Sequence, residues 1–141
     1  MKKISLFLIL FVLGLSSREL VVVGDKNFHE SNLTRFEIKS IFLNKKRFIN
    51  NEKILVMNHP VNHPLRLCFE KEILGKTERV LERYWRKAYY QGKRPPKVIS
   101  STKMLFLYLD SVHPAIGYSD FNATLDTNLT ILYRVSCNNE F

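Results

Sequence analysis

A proline-containing loop followed by an arginine carries the side chains best suited to hold a small anion. His59 and His63 lie in this loop, and Arg66 follows in a predicted helix. Arginine offers two parallel N–H donors, a helix start offers unpaired backbone N–H groups, and protonated histidines add charge at low pH. The pattern therefore indicates an anion site. It is also typical of an arginine on a solvated helix face after an ordinary loop, and both interpretations stay open.

Other chemistry has weaker support in the sequence. A zinc site at His59 and His63 lacks a clear third ligand, and Pro60 prevents the two histidines from sharing a helical face. The chain contains no nucleophile elbow, no distinctive pair of carboxylates and no Gly-rich phosphate loop. We therefore predict a binding protein without catalytic residues, metal or cofactor, and not an enzyme.

Hydroxyl side chains stand at two predicted helix starts. Thr34 and Glu37 have the spacing of a capping box. Ser100 or Ser101 begins a helix that runs to about Val112. Such hydroxyls either cap the helix or contact a ligand, and for the serine pair capping is the favoured interpretation.

The chain alternates strand-like and helix-like segments. Strands are predicted over 20–23, 53–57, 97–99, 115–118 and 129–135, and helices over 34–43, 65–74, 77–90 and 101–112. Strands joined by helical crossovers indicate an α/β sheet with parallel neighbours. Ligands bind such sheets beyond the carboxyl ends of the strands. This selects the loop before Thr34, the loop 58–64 and the segment 100–102.

The first sixteen residues have the layout of a secretory signal peptide. Lys2 and Lys3 precede an apolar run over 4–13, and the small residues Gly14 and Ser16 follow it. The run is shorter than the roughly 20 residues that span a bilayer. We predict a cleaved signal peptide over 1–16 and one domain over 17–141, with an uncleaved anchor as the alternative.

Export makes the two cysteines informative. Cys68 and Cys137 could pair in an oxidising compartment. Two buried or free thiols are an equally good interpretation from the sequence.

The chain of 141 residues has a net charge of +9 at pH 7. Basic loops of this kind are usually solvated, but they could also face anionic lipid headgroups or an acidic partner. Nucleic acid is not expected as a partner, because export argues against it. The basic loop residues are Lys45, Lys46, Arg47, Lys93, Arg94 and Lys97.

Several segments match the motifs of one protein family in their order along the chain. Residues 33–38 and 41–43 resemble a helix motif "LTRxxLxxIFLG", and 54–56 with 66–69 resemble "VxRxxGSGTRxxF". Residues 73–75 with Trp85 resemble "xxLG…W", and 113–118 are close to "xPGAIGYV". Together, over about residues 21–119, these segments resemble the PstS type of periplasmic phosphate-binding protein. The resemblance implies that the chain is a short, single-lobe member of the family. The implied fold is a three-layer α/β lobe with a mixed, mainly parallel sheet flanked by helices.

The resemblance also implies a function and a set of residues. It predicts a periplasmic protein that binds phosphate or a related small anion in connection with ABC-type transport or sensing. By position, His59 stands where the family has an arginine, and 62–65 replace its Gly-Ser-Gly-Thr turn, whereas Arg66 is retained. The alternative is a ligand-free module that docks on a membrane transporter, sensor or envelope complex. The expected ligand-binding residues are Arg66, His59, Asn62, His63, Thr34, Ser100 and Ser101.

Overall fold

The structure is a computed structural model that describes residues 18–30 and 32–138. The predicted signal peptide over 1–16 lies outside these residues. The strands are β1 (Arg18–Gly24), β2 (Phe48–Ile49), β3 (Glu52–Lys53), β4 (Leu55–Asn58), β5 (Lys97–Val98), β6 (Ala115–Asp120) and β7 (Thr130–Cys137). The helices are α1 (Arg35–Phe42), α2 (Pro64–Phe69), α3 (Glu78–Tyr89) and α4 (Thr102–Ser111). A π-helical turn (Glu70–Leu74) extends α2, and a 3₁₀ turn (Phe121–Thr124) follows β6.

Five strands form the central sheet in the order β5-β4-β6-β1-β7. β4 is parallel to β5 and β6, whereas β1 is antiparallel to both β6 and β7. Four of the five strands therefore run in the same direction. This confirms the predicted mixed, mainly parallel sheet. The short strands β2 and β3 form a separate hairpin.

The helices cover both faces of the sheet, which gives three layers. Leu20 and Val22 of β1 pack in one core with residues of α1, α2 and α3. Val21 and Val23 point to the opposite face and pack with residues of α4. All four side chains are fully buried, and each contributes roughly 1.5–3 kcal/mol through burial of its apolar surface.

The helices begin and end at residues that are typical of helix caps. Thr34 Oγ1 accepts a hydrogen bond from Glu37 N at 3.2 Å, and Glu37 Oε2 accepts one from Thr34 N at 2.9 Å. The predicted capping box is therefore confirmed. Thr77 and Ser101 cap α3 and α4. Gly75, in the left-handed region with φ 61°, ends the π-helical turn after α2.

A disulfide joins Cys68 of α2 to Cys137 of β7, with their Cα atoms 5.7 Å apart. The bond therefore ties a surface helix to the end of an edge strand. Its partners are 69 positions apart in the chain. Closing a loop of that length stabilises the fold by about 4 kcal/mol in the chain-entropy account.

No helix within the described ranges is both long and apolar enough to cross a membrane.

Candidate functional site

A groove of about 430 Å³ opens where β4 and β5 end. Asn58 is the last residue of β4, and Val98 is the last residue of β5. In open α/β sheets this edge is the usual place for a ligand. Apolar side chains and prolines form much of the groove wall, and charged groups lie at its floor and rim. The lining residues are Asn58, Val61, Arg66, Glu70, Glu78, Leu81, Glu82, Trp85, Arg86, Pro95, Pro96 and Val98.

Arg66 is fixed at the floor of the groove by two hydrogen bonds. Its Nε donates to Glu70 Oε1 at 2.8 Å, and its Nη1 donates to the carbonyl of His59 at 2.9 Å. The two side chains of this ion pair are only 20% and 10% exposed. Glu70 therefore neutralises the guanidinium and holds it in place. Among the described residues, Nη2 has no acceptor, and it is the donor left for a ligand.

His59 contacts Arg66 through its backbone carbonyl, and it does not line the groove. It is buried, and its Nε2 lies 2.8 Å from the carbonyl of Tyr118, which makes Nε2 the protonated nitrogen. Its ring stacks on His63 with centroids 4.7 Å apart. Burial lowers the pKa of His59 below its usual value. The ring is therefore neutral near pH 7, and its hydrogen bond is made to Tyr118 and not to Arg66.

His63 and Asn62 shape the start of α2. His63 is the N-cap, and its Nδ1 accepts a hydrogen bond from Leu65 N at 3.1 Å. Burial lowers the pKa of His63 as well. Asn62 adopts a positive φ of 68° in the preceding turn, a conformation that asparagine tolerates better than most residues. The structure thus brings His59, His63 and Arg66 together, but of the three only Arg66 lines the groove.

The hydroxyl residues expected at helix starts lie outside the groove. Thr34 Oγ1 is engaged in its capping box, and Ser101 Oγ accepts from Met104 N at 3.1 Å. Ser100 is exposed and precedes the cap. None of these three residues is part of the groove lining.

Asn58 begins the predicted loop 58–64 and lines the groove, although it is not among the expected ligand-binding residues. Tyr118 is fully buried, and its hydroxyl donates to Asn58 Oδ1. Burial raises the pKa of Tyr118 far above its usual value, so this phenol keeps its proton and remains the donor. The bond orients the amide, because Oδ1 faces Tyr118 and Nδ2 must point elsewhere. No described residue accepts a hydrogen bond from Nδ2, so the groove gains a second fixed donor beside Arg66.

Carboxylates dominate the outer rim of the groove. Glu78, Glu82 and Arg86 are spaced four residues apart on α3, and all three are exposed. With the Arg66–Glu70 pair neutral, the rim carries a small negative excess. An anionic group therefore finds its donors at the floor, at Arg66 and Asn58. No group of three or more His, Cys, Asp or Glu within 18–30 and 32–138 could hold a metal ion.

Comparisons with known proteins agree with this architecture at the level of the fold. One similar solved structure is that of a candidate phosphate ABC transporter substrate-binding protein with bound phosphate from Clostridium perfringens. It has a TM-score of 0.65 and 19% identity, over 82% of this chain and 44% of that one. A second is an ABC-type phosphate transport receptor from Vibrio cholerae, with a TM-score of 0.64 and 18% identity, over 82% of this chain and 45% of that one.

The similarity has two bounds. The chain spans less than half of the length of these two proteins. No family model and no curated protein matches the sequence. The finding is therefore that this chain has the fold of part of a phosphate ABC transporter substrate-binding protein.

Proposed function

We propose that this protein is a solute-binding module that holds a small, phosphate-like anion in the groove beyond β4 and β5. The observation that carries the proposal is the guanidinium of Arg66, which is fixed at the groove floor while its Nη2 has no acceptor among the described residues. The shared fold with two phosphate-transport proteins supports the same ligand class. Binding is the whole activity in this proposal, without a chemical step.

Two fixed donors define how the anion is held. Arg66 contributes Nη2, and Asn58 contributes Nδ2, whose direction is set by the bond from Tyr118. A hydrogen bond to a charged acceptor contributes about 1.5–3 kcal/mol. The anion shares Arg66 with Glu70, so its binding is weaker than at an arginine without a carboxylate. Affinity in the micromolar to millimolar range is the expected result.

The biological setting is part of the same proposal. We place the protein in the periplasm, where it delivers or reports its ligand to an ABC-type transporter or a sensor. The two similar proteins are more than twice as long as the matching region. A partner, or a further part of the receptor, therefore has to supply any second wall of the site.

Calorimetric titration with phosphate, sulfate and small carboxylates tests the proposal. We expect at least one of these anions to bind the parent protein and Arg66→Ala to lose that binding by tenfold or more. Arg66→Lys keeps the charge without the fork and should lie between the two. Arg83→Ala is the matched control, because Arg83 is exposed on α3 and does not line the groove.

Absence of binding of every tested anion to the folded parent protein would overturn the proposal. Equal losses in Arg66→Ala and Arg83→Ala would also overturn it, since the anion would then be held by general positive charge. Either result would leave the ligand-free docking module as the surviving interpretation.

A further inference from the structure

A second region of the molecule concentrates positive charge without neutralising it. Segments 44–53 and 89–97 together hold seven basic residues and one acidic residue, in a chain whose net charge is +9. Lys46 is paired with Glu30 at 3.3 Å, and the other six cations form no ion pair with any described residue. We call the surface of these six cations the basic face. They are Lys45, Arg47, Lys53, Lys93, Arg94 and Lys97.

The two segments of the basic face lie against each other. Asn44 Nδ2 donates to the carbonyl of Arg94 at 3.1 Å, which joins the end of α1 to the loop before β5. Lys53, Arg94 and Lys97 line one shallow cleft of about 190 Å³ between the segments. The single carboxylate, Glu52, has its Oε2 3.8 Å from His113 Nε2. Within the described part of the chain, no carboxylate lines the cleft.

Aromatic rings stand exposed among these cations. Phe48, Tyr89 and Tyr90 are 54%, 58% and 86% exposed. Phe48 pairs across the hairpin with Lys53, so the two side chains share one face. The guanidinium of Arg94 lies 4.1 Å from the centroid of the Tyr89 ring. Rings and cations therefore form one mixed surface.

Further positive charges lie beyond the two segments, on α1. The pKa of Lys39 is lowered by burial and by the positive charges of Lys76, Arg35 and Lys45. An exposed ring, Phe36, lies three residues before Lys39 and is 76% exposed. Positive charges of α1 therefore lie close enough to Lys45 to interact with it.

We propose that the basic face docks the protein on a membrane surface rich in anionic phospholipid. Charge complementarity and exposed aromatic residues carry the proposal, because cations attract the anionic leaflet and aromatic rings settle at the level of the headgroups. Four of the six cations are lysines. Lysine is depleted from protein–protein interfaces, whereas a lipid surface requires only positive charge within a Debye length. The surface therefore fits lipid better than an acidic protein.

Vesicle co-sedimentation of the full chain tests this proposal. We expect binding to vesicles of phosphatidylglycerol and phosphatidylcholine at low salt, little binding to phosphatidylcholine alone, and release as salt rises. The variant Lys53→Glu with Arg94→Glu should weaken the partition by about 30-fold or more. Lys71→Glu with Lys103→Glu changes the net charge equally outside the basic face and should bind close to the parent level.

A third variant separates the aromatic contribution from charge. Phe48→Ser with Tyr90→Ser should weaken binding at every salt concentration while the salt dependence keeps its slope. Circular dichroism establishes that each variant is folded, and the salt titration of the parent tests the proposal without any variant.

Several results would overturn the proposal that the basic face binds lipid. These are equal binding to neutral vesicles, absence of binding at low salt, or equal losses in the two charge-reversal variants. Tighter binding to polyglutamate than to anionic vesicles would instead assign the basic face to an acidic protein.

Discussion

The groove and the basic face use the same kinds of charged side chains in opposite arrangements. In the groove, Arg66 is matched by Glu70 at 2.8 Å, and both side chains are largely buried. Across the basic face, six cations meet no carboxylate of the described residues. The difference follows from burial. An uncompensated charge costs several kcal/mol inside a protein, whereas an exposed lysine keeps its hydration and needs no partner.

The two arrangements select different kinds of ligand. A ligand of the groove has to share Arg66 with Glu70 and match the direction of the Asn58 amide, so geometry decides what binds. A partner of the basic face displaces only water and counterions, so summed charge decides. One region is therefore suited to recognise a small molecule, and the other to recognise a surface.

Glu70→Gln should have the largest effect on this contrast. It removes the charge that balances Arg66, and we expect it to lower the free energy of unfolding by about 1–3 kcal/mol, less than for a fully buried pair because Arg66 keeps some solvent contact. It should also tighten anion binding several-fold, because Arg66 is no longer neutralised. Urea unfolding and calorimetry measure the two effects.

Glu30→Gln provides the comparison beside the basic face. The Lys46–Glu30 pair is 37% and 41% exposed, and loss of such a pair should cost less than about 1 kcal/mol. Equal destabilisation by the two substitutions would contradict the distinction between paired, buried charge and solvated charge.

A fall in pH should lower the free energy of unfolding, because two histidines beside the groove are buried or partly buried. Burial lowers the pKa of His59 and of His63 below the usual value of 6.5. The unfolded chain therefore binds more protons than the folded protein below about pH 6.5, and stability should fall as the pH drops from there toward the lowered pKa values.

His59→Gln tests that pH dependence. Its side-chain amide keeps a donor for the Tyr118 carbonyl but does not titrate, so the variant should lose less stability than the parent between pH 7.5 and 5. Urea midpoints at several pH values give the slope. An unchanged slope in the variant would show that His59 does not contribute.

Lys39→Gln should have the smallest effect. The substitution relieves repulsion from Lys76, Arg35 and Lys45, so it should stabilise the protein by a few tenths of a kcal/mol at low salt. Thermal unfolding in low and high salt measures this gain, which should disappear when salt screens the charges. A gain that persists in high salt would point to helix propensity in place of repulsion.

Much of the fold is predictable because its signals are local. The capping box of Thr34 and Glu37 marks the start of α1 within four residues, and the continuous apolar run Leu20–Val23 indicates a strand buried on both faces. The order of the strands depends on contacts between distant segments. The antiparallel insertion of β1 between β6 and β7 is a property of the assembled sheet.

The groove is less predictable because one of its two donors, Asn58, is oriented by a residue far away in the chain. Asn58 is oriented by Tyr118, which follows sixty positions later. The sequence singles out His59, His63 and Arg66 through their types, but the assembled fold decides that His59 turns inward and Arg66 outward. Whether Thr34, Ser100 or Ser101 contacts a ligand stays a prediction.

The bond between Cys68 and Cys137 also determines how the molecule responds to mechanical tension. Arg18 and Cys137 are paired at the same end of the β1–β7 ladder, so a force that separates these two residues opens that ladder rung by rung, as a zipper. The disulfide then carries the tension directly between its partners, which are 69 positions apart, so the segment between them is not extended. Only about 50 residues remain to be drawn out, roughly 170 Å in place of about 400 Å for the uncrosslinked chain. The pairs between β1 and β7 therefore separate one at a time under such a force, and the disulfide limits how far the chain can then be extended.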